Sequence, residues 1–379
     1  MELRDTEAEA EFRSRLRAWI AENLPPQLVG LGTRTEPLEP LRSWSRSLSQ
    51  AGYVGLTWPS EFGGGGGAYA LDAIVLEELA RAQAPQHLGA IGIGMAGPTI
   101  MAYGTDSQKR RFLPRILSAD EIWCQGFSEP GAGSDLASVR TRSERRGDHV
   151  VVSGQKVWSS YAHLADWCIL VTLGDPMAPR YHGLNYLLVD MHSPGVEVRP
   201  LRQMTGDADF NEIFFTDVQV PAANLLGAEG EGWQVAMTTL LHERATLGFA
   251  LTGLLDAALH RLLQLAAEDP AAAEPWLADI AREWIQLQGL KLTAQRSLGQ
   301  LGVTGMPGPE GSVIKLGWSE STQRLTKLAR TLLGPEAVLD DGFWHYQQLR
   351  SRANSIEAGT SEILRNIVAE RVLGLPRSR

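Results

Sequence analysis

The chain has 379 residues, 44% of them hydrophobic and 21% charged, with a net charge of −9 and a pI near 5.5. That length exceeds one ordinary core and implies two or three domains, and the acidic balance argues against a nucleic-acid surface, because phosphate binding needs clustered Lys and Arg. The charged start Met1-Glu2-Leu3-Arg4-Asp5 has no apolar signal region and no apolar run reaches the ~18 residues of a membrane span, so the chain reads as cytoplasmic.

From Leu3 to Leu24, Phe12, Leu16, Trp19 and Ile20 recur at helical spacing, and Pro25-Pro26 ends the pattern. A second helix runs through Leu41, Trp44 and Leu48. Five consecutive glycines, Gly63 to Gly67, follow Glu61-Phe62 and read as a flexible turn; they lack the Gly-Lys-Ser/Thr that would make a phosphate loop. An amphipathic segment continues through Leu71, Ile74, Val75, Glu78 and Leu79. Gly92-Ile93-Gly94-Met95-Ala96-Gly97 is a literal G-x-G-x-x-G, but no β-branched strand precedes it, Pro98 follows directly and no βαβ alternation surrounds it. Its small residues are better explained by close approach of helices or backbone. A basic helix then spans Gln108 to Ile116 and ends near Asp120-Glu121.

Between Glu121 and about Gly227 the period becomes strand-like. Val150 to Val152, Trp167 to Val171, Leu184 to Val189, Val196 to Val198 and Ile213 to Phe215 are short apolar runs separated by Gly, Pro and Asp turns. Cys124 and Cys168 lie in such runs with no zinc spacing, as buried thiols rather than a disulfide or metal site. From Gly230-Glu231-Gly232-Trp233 the chain is helical again, with breaks at Asp269-Pro270, Met306-Pro307-Gly308-Pro309 and Gly334-Pro335. The fold class is therefore α+β and multidomain: an N-terminal α-helical domain over 1–120, a middle β domain over 121–228 and a C-terminal helical bundle over 229–379.

The stretch Trp123 to Ser160 organises this chain. Phe127-Ser128-Glu129-Pro130-Gly131-Ala132-Gly133-Ser134-Asp135 leaves an apolar run and opens into two glycines, which frees backbone N–H groups for an anion or a ring edge. Gly154-Gln155-Lys156-Val157-Trp158-Ser159-Ser160 sets a flat indole beside two hydroxyls, able to cover one face of an aromatic cofactor and donate to its heteroatoms. Taken singly, each is more often a plain turn or a core Trp. With Gly52 to Gly64, Phe215 to Gly232 and Glu357 to Gly374, the last containing Gly359-Thr360-Ser361-Glu362, they make five ordered motifs. Together these resemble the acyl-CoA dehydrogenase family over nearly the whole chain.

The resemblance implies an α-helical domain, a β-barrel domain and a C-terminal four-helix bundle, with FAD at a subunit interface of a homo-oligomer, dimer or tetramer. It places Phe127, Ser128, Ser134, Trp158, Ser159 and Ser160 in the flavin segments. Ser128 stands at the pyrimidine edge, Ser134 at the pyrophosphate or acyl-CoA, Trp158 against the ring and Ser160 near N5. Thr360 and Glu362 sit in a second cofactor segment, Gly359 faces the thioester, and Arg244 holds the active-site helix and substrate end. The implied substrate is an acyl-CoA, or an acyl carrier protein thioester, and the implied acceptor an electron-transfer flavoprotein or its like. No metal, membrane or nucleic acid is involved.

Desaturating a thioester requires removal of a weakly acidic α-proton while a hydride leaves the β-carbon for the flavin. A carboxylate in a dry pocket is the natural base, and general-base help is worth about 10²–10⁴ in rate. The commonest family placement for that base falls here on Ala358. Adjacent Glu357, read as part of an extended segment, points the other way. A second family placement, directly before an arginine on the first long C-terminal helix, falls on Glu243 in Leu240-Leu241-His242-Glu243-Arg244. Glu243 shares a stripe with Ala236, Leu240, Leu247 and Leu251 at steps of three and four, which makes it the favoured base over Glu357 and over no base at all, while His242 reads as structural or surface.

Two family features are not evident: an Arg-x-x-Phe-Gly segment and a Gln before a Gly-Gly turn, both reaching a neighbour's FAD. The corresponding stretches are Leu262 to Pro270 and Ala329 to Pro335, with Arg296 or Arg330 available to compensate. A heterotetramer whose partner completes the site is therefore an alternative. So are an oxidase or monooxygenase on the same fold, and a non-catalytic partner subunit.

Overall fold

Thr6 and Glu9 start the first helix, α1 (Glu7–Asn23), by a reciprocal cap in which the Thr6 hydroxyl accepts the Glu9 N–H and the Glu9 carboxylate accepts the Thr6 N–H at 2.7 Å. The computed structural model describes residues 4–30, 37–304, 308–338 and 342–377, with the side chains of residues 244–247, 336 and 338 outside the description. After α1 come α2 (Leu38–Gln50), α3 (Tyr69–Arg81), α4 (Gly97–Tyr103) and α5 (Asp106–Leu117). The strands are β1 (Trp123–Gly126), β2 (Arg142–Arg146), β3 (His149–Ser160), β4 (Trp167–Leu173), β5 (Leu184–Asp190), β6 (Val196–Leu201) and β7 (Phe210–Pro221). The chain closes with α6 (Gly232–Glu268), α7 (Pro270–Ala273), α8 (Leu277–Thr304), α9 (Glu310–Leu333), α10 (Phe343–Asn354) and α11 (Ser361–Ile367).

The chain forms two compact units, one of Met1–Gly32, Ala68–Pro85 and Arg244–Arg379, the other of Thr33–Gly67 and Gln86–Glu243. The first is all helical. Leu16 and Ile20 of α1 are buried, and α1 is bound to α3 through Glu78, a buried carboxylate that takes Arg17 at 2.6 Å and Arg13 at 2.9 Å. Burial pushes the Glu78 carboxyl up and the two guanidinium groups more than reverse this, so it lies below the ordinary carboxylate range. Its main core joins Leu255, Leu259 and Leu262 of α6 with Leu287 and Leu290 of α8 and Leu325 of α9.

The second unit carries one curled seven-stranded sheet, the half-barrel form of the middle β domain. β1 runs parallel to β4, which pairs antiparallel with β5, and the register sets Cys124 opposite Cys168 as free buried thiols. β2 pairs with β3, β3 with the equally long β7, and β7 with β6, all antiparallel. Gln108 caps α5 through Thr105 and uses its amide NH₂ on the carbonyls of Ala223 and Leu225 at 2.8 and 3.0 Å, tying the helix to the segment after β7.

The glycine run is not the flexible turn expected. The amides of Gly64, Gly65, Gly66 and Gly67 donate to the carbonyls of Pro59, Gly55, Trp58 and Leu56. A Cβ on Gly65 would lie 2.9 Å from the Leu56 carbonyl oxygen, so close backbone packing is what demands glycine. Gly92 to Ala96 form a π-helical turn running into α4, where a methyl on Gly97 would overlap the Trp58 indole; the small residues do serve close approach. Among the described residues no helix is long and apolar enough to cross a membrane.

Candidate active site

The loop after β1 is bound to β3 residue by residue. Phe127 is buried edge-on to Tyr186, with ring centroids 5.9 Å apart. The Ser128 carbonyl accepts the Val157 N–H at 2.9 Å, and Glu129 and Ala132 exchange backbone bonds of 2.9 and 3.0 Å that pinch the turn. Fully buried Lys156 donates to the Phe127 carbonyl at 3.0 Å and to Glu129 at 2.8 Å. The Glu129 carboxylate also accepts the amides of Arg140 and Thr141 at 2.7 and 2.9 Å. Burial lowers the Lys156 ammonium to about 8 against the opposing pull of Glu129. Burial would raise Glu129, but Lys156 and the two amides bring it below the usual carboxylate range.

Just past Lys156 the pairing of β3 with β7 slips, Lys156 facing Ile213 and Ser159 facing Asn211. The bulge turns Trp158 into left-handed backbone, φ +61°, and leaves its indole 61% exposed, edge-on to Phe210. Large aromatics with positive φ are strained, and such strain clusters at functional sites. Ser159 points inward and its buried hydroxyl has no hydrogen-bond partner among the described residues, while Ser160 is half-buried opposite Phe210. Fully buried Asn211 holds this strand end, donating to the Ser159 carbonyl at 3.0 Å. Gly131 and Gly133 have no atom within 4 Å of where a Cβ would stand, Ser134 is exposed, and a cavity of about 310 Å³ lies beside Gly131, Arg140 and Gln155.

Ser128, Trp158, Ser159 and Ser160, predicted from two separate motifs, are therefore brought together. An open loop, an exposed indole held in place and an orphaned buried hydroxyl suit a planar heteroaromatic cofactor. Among the described residues no group of three or more His, Cys, Asp or Glu could hold a metal ion.

Helix α6 enters the same unit. Val235, Ala236 and Thr239 are fully buried, and the Thr239 hydroxyl lies 2.9 Å from that of Thr99 and 3.0 Å from the Tyr186 phenol, which burial drives well above its ordinary pKa. Glu243, one turn further, is half-buried. On the predicted stripe Ala236 and Leu251 are buried and Leu240 is partly buried; the side chains of Leu247 and Arg244 lie outside the described residues. Burial lowers the His242 imidazole pKa.

In the other unit, α10 ends at Asn354 and the chain turns. Glu357 is not in an extended segment: its N–H donates to the Ala353 carbonyl, and its carboxylate grips Arg350 through two bonds of 3.0 Å. Ala358 and Gly359 both take left-handed backbone, φ +50° and +95°. Buried Lys315 donates to the carbonyls of Asn354 and Gly359 at 2.7 and 2.8 Å. The Thr360 hydroxyl accepts the Ile363 N–H as the cap of α11, and Glu362 is exposed. Sequence reasoning missed Glu129, Lys156 and Asn211. A lysine amid the apolar residues of a strand was the available signal.

Profiles described as acyl-CoA dehydrogenase, N-terminal domain, middle domain and C-terminal domain match residues 6–120, 124–218 and 230–373. Acyl-CoA dehydrogenase IpdE1 of Mycobacterium tuberculosis is 43% identical over 97% of this chain and 98% of its own length. A solved structure titled Tcur3481-Tcur3483 steroid ACAD superposes with a TM-score of 0.89 at 29% identity, covering 100% of both chains. The ChsE4-ChsE5 complex from Mycobacterium tuberculosis gives 0.85 at 31% identity, again over 100% of each. The chain belongs to the acyl-CoA dehydrogenase family, flavin-dependent oxidoreductases whose cofactor is FAD.

Proposed function

We propose that this protein desaturates the α,β bond of an acyl-CoA to a trans-2-enoyl thioester, with Glu243 as the base. The observation that carries this is the state of the closing loop. Ala358 has no group to offer, and both Glu357 oxygens are taken by Arg350. Glu243 stands on a helix whose preceding turn is locked by the Thr99–Thr239–Tyr186 hydroxyls, and a positioned carboxylate is what proton abstraction needs.

Phe127, Ser128, Trp158, Ser159 and Ser160 would hold the flavin ring, Ser134 and the open glycine turn the pyrophosphate or the acyl-CoA. Arg244 and Gly359 are read as substrate contacts, Thr360 and Glu362 as cofactor contacts. Bound there, FAD supplies the acceptor for the departing hydride. The three domains are read as 1–120, 121–228 and 229–379, in a cytoplasmic protein that passes electrons to an electron-transfer flavoprotein or similar acceptor. The word "steroid" in one structural relative's title favours a bulky, sterol-derived acyl group over a short chain.

Flavin bleaching by a panel of acyl-CoAs, from short branched chains to steroid side chains, tests this. Glu243→Gln should slow bleaching about 10²–10⁴-fold; bleaching at the unmutated rate would sink the assignment. A second reading, a subunit completed by a different chain in a heterotetramer, is favoured by two relatives whose titles name paired proteins. Flavin retention and turnover by the purified chain alone would reject it in favour of a homo-oligomer.

A further inference from the structure

Neither Lys156 nor Glu129 has a part in the chemistry above, yet the pair is among the most enclosed charges in the molecule, with side chains 0% and 8% exposed. Its bonds converge on one residue. The Phe127 carbonyl that Lys156 holds belongs to the peptide whose N–H is that of Ser128, and the following carbonyl, of Ser128 itself, is held by Val157. The peptides on both sides of Ser128 are thus tied to consecutive residues of β3, and the next residue is Trp158. Glu129 completes the frame by fixing the amides of Arg140 and Thr141 across the loop.

We infer that the Lys156–Glu129 pair is the positioning element of the flavin loop. It aims the Ser128 N–H and hydroxyl at the cofactor and, by polarising the Phe127–Ser128 peptide, favours the negative charge that a reduced flavin gains. A cation bound to a carbonyl strengthens the N–H on the far side of the same peptide. At neutral pH Lys156 is chiefly the ammonium form, since burial brings it only to about 8. A plain structural ion pair can be exchanged for neutral groups with little consequence. Here the cation's second bond goes to the loop, so the exchange should be felt at the cofactor. The inference rests on the reading of Ser128 as a flavin contact.

The test is the double variant Lys156→Met/Glu129→Gln, which removes both charges and strands neither. Its holoenzyme should keep the far-UV circular dichroism of the parent, lose FAD on dilution with a dissociation constant raised about tenfold or more, and show a more negative two-electron midpoint potential. A folded double variant whose FAD affinity stays within twofold, with unchanged flavin spectrum and potential, overturns the inference. Should that variant not fold, Lys156→Gln alone takes the cation off the Phe127 carbonyl and should move the potential negative; an unmoved potential overturns it equally. Ser128→Ala in the parent is the separate control. If that change leaves FAD affinity and spectrum untouched, the placement of Ser128 fails instead.

Discussion

Arg350 and Glu357 meet through two hydrogen bonds of 3.0 Å each, so the carboxylate next in sequence to Ala358 is committed to a guanidinium. Fork-to-fork pairs of this kind are the stronger ion pairs, and both side chains are largely buried, 21% and 26% exposed.

Glu357→Gln should therefore act on stability before chemistry. Losing one partner of a charge-assisted pair costs about 1–3 kcal/mol, readable as a lower urea midpoint, while acyl-CoA turnover stays within about tenfold. A turnover loss of about 10² or more at unchanged stability would move the base from Glu243 to Glu357.

Two glycines should respond oppositely to alanine. At Gly97 a methyl overlaps the buried Trp58 indole, which has no flexible end to yield, and overpacking of this kind costs about 1–3 kcal/mol. At Gly131 nothing lies within 4 Å. Gly131→Ala should shift stability by no more than about 0.5 kcal/mol yet reduce the FAD carried through purification, because the methyl would occupy the open turn assigned to cofactor or substrate. Thermal melts and flavin-to-protein absorbance ratios read both, and equal flavin content in Gly131→Ala would remove that turn from the site.

Acid should destabilise the protein through His87. Its ring is buried and accepts the Gly89 N–H on Nδ1 at 3.0 Å, and burial lowers its pKa from 6.5 to about 4, offset in part by the Leu117 carbonyl. A folded-state pKa below the unfolded one means that this contribution is present above pH 6.5 and is lost as pH falls towards 4. At about 1.4 kcal/mol per unit the loss is roughly 3 kcal/mol. Urea unfolding at pH 7 and pH 4.5 measures it, and His87→Gln should flatten the difference; an unchanged slope would place the acid sensitivity elsewhere.

How much of this was legible in the sequence depends on which groups carry the signal. Apolar periods marked α1, α2, α3 and most strands because burial itself writes them. β2 escaped because Arg142–Arg146 is charged and, Ser143 apart, exposed; its place comes from pairing with β3. The glycine run misled because a tightly hydrogen-bonded loop and a loose one share a composition. Glu357 looked extended until the turn after α10 was seen, since a left-handed alanine at 358, unlike the left-handed Gly359 beside it, leaves no mark in the sequence. Ser128, Trp158, Ser159 and Ser160 were found as motifs, but their convergence depends on a bulge and a buried charge pair whose partners are 27 residues apart.

That charge pair also bears on how the chain reaches its folded state. An ammonium enclosed between strands has no route to water, so β3 cannot bury Lys156 cheaply until Glu129 arrives. Closing the sheet and seating the 127–132 loop should then be coupled, and the loop should resist opening. Its opening should be slow on the hydrogen-exchange timescale: the Arg140 and Thr141 amides held by Glu129 should exchange only as the whole sheet unfolds.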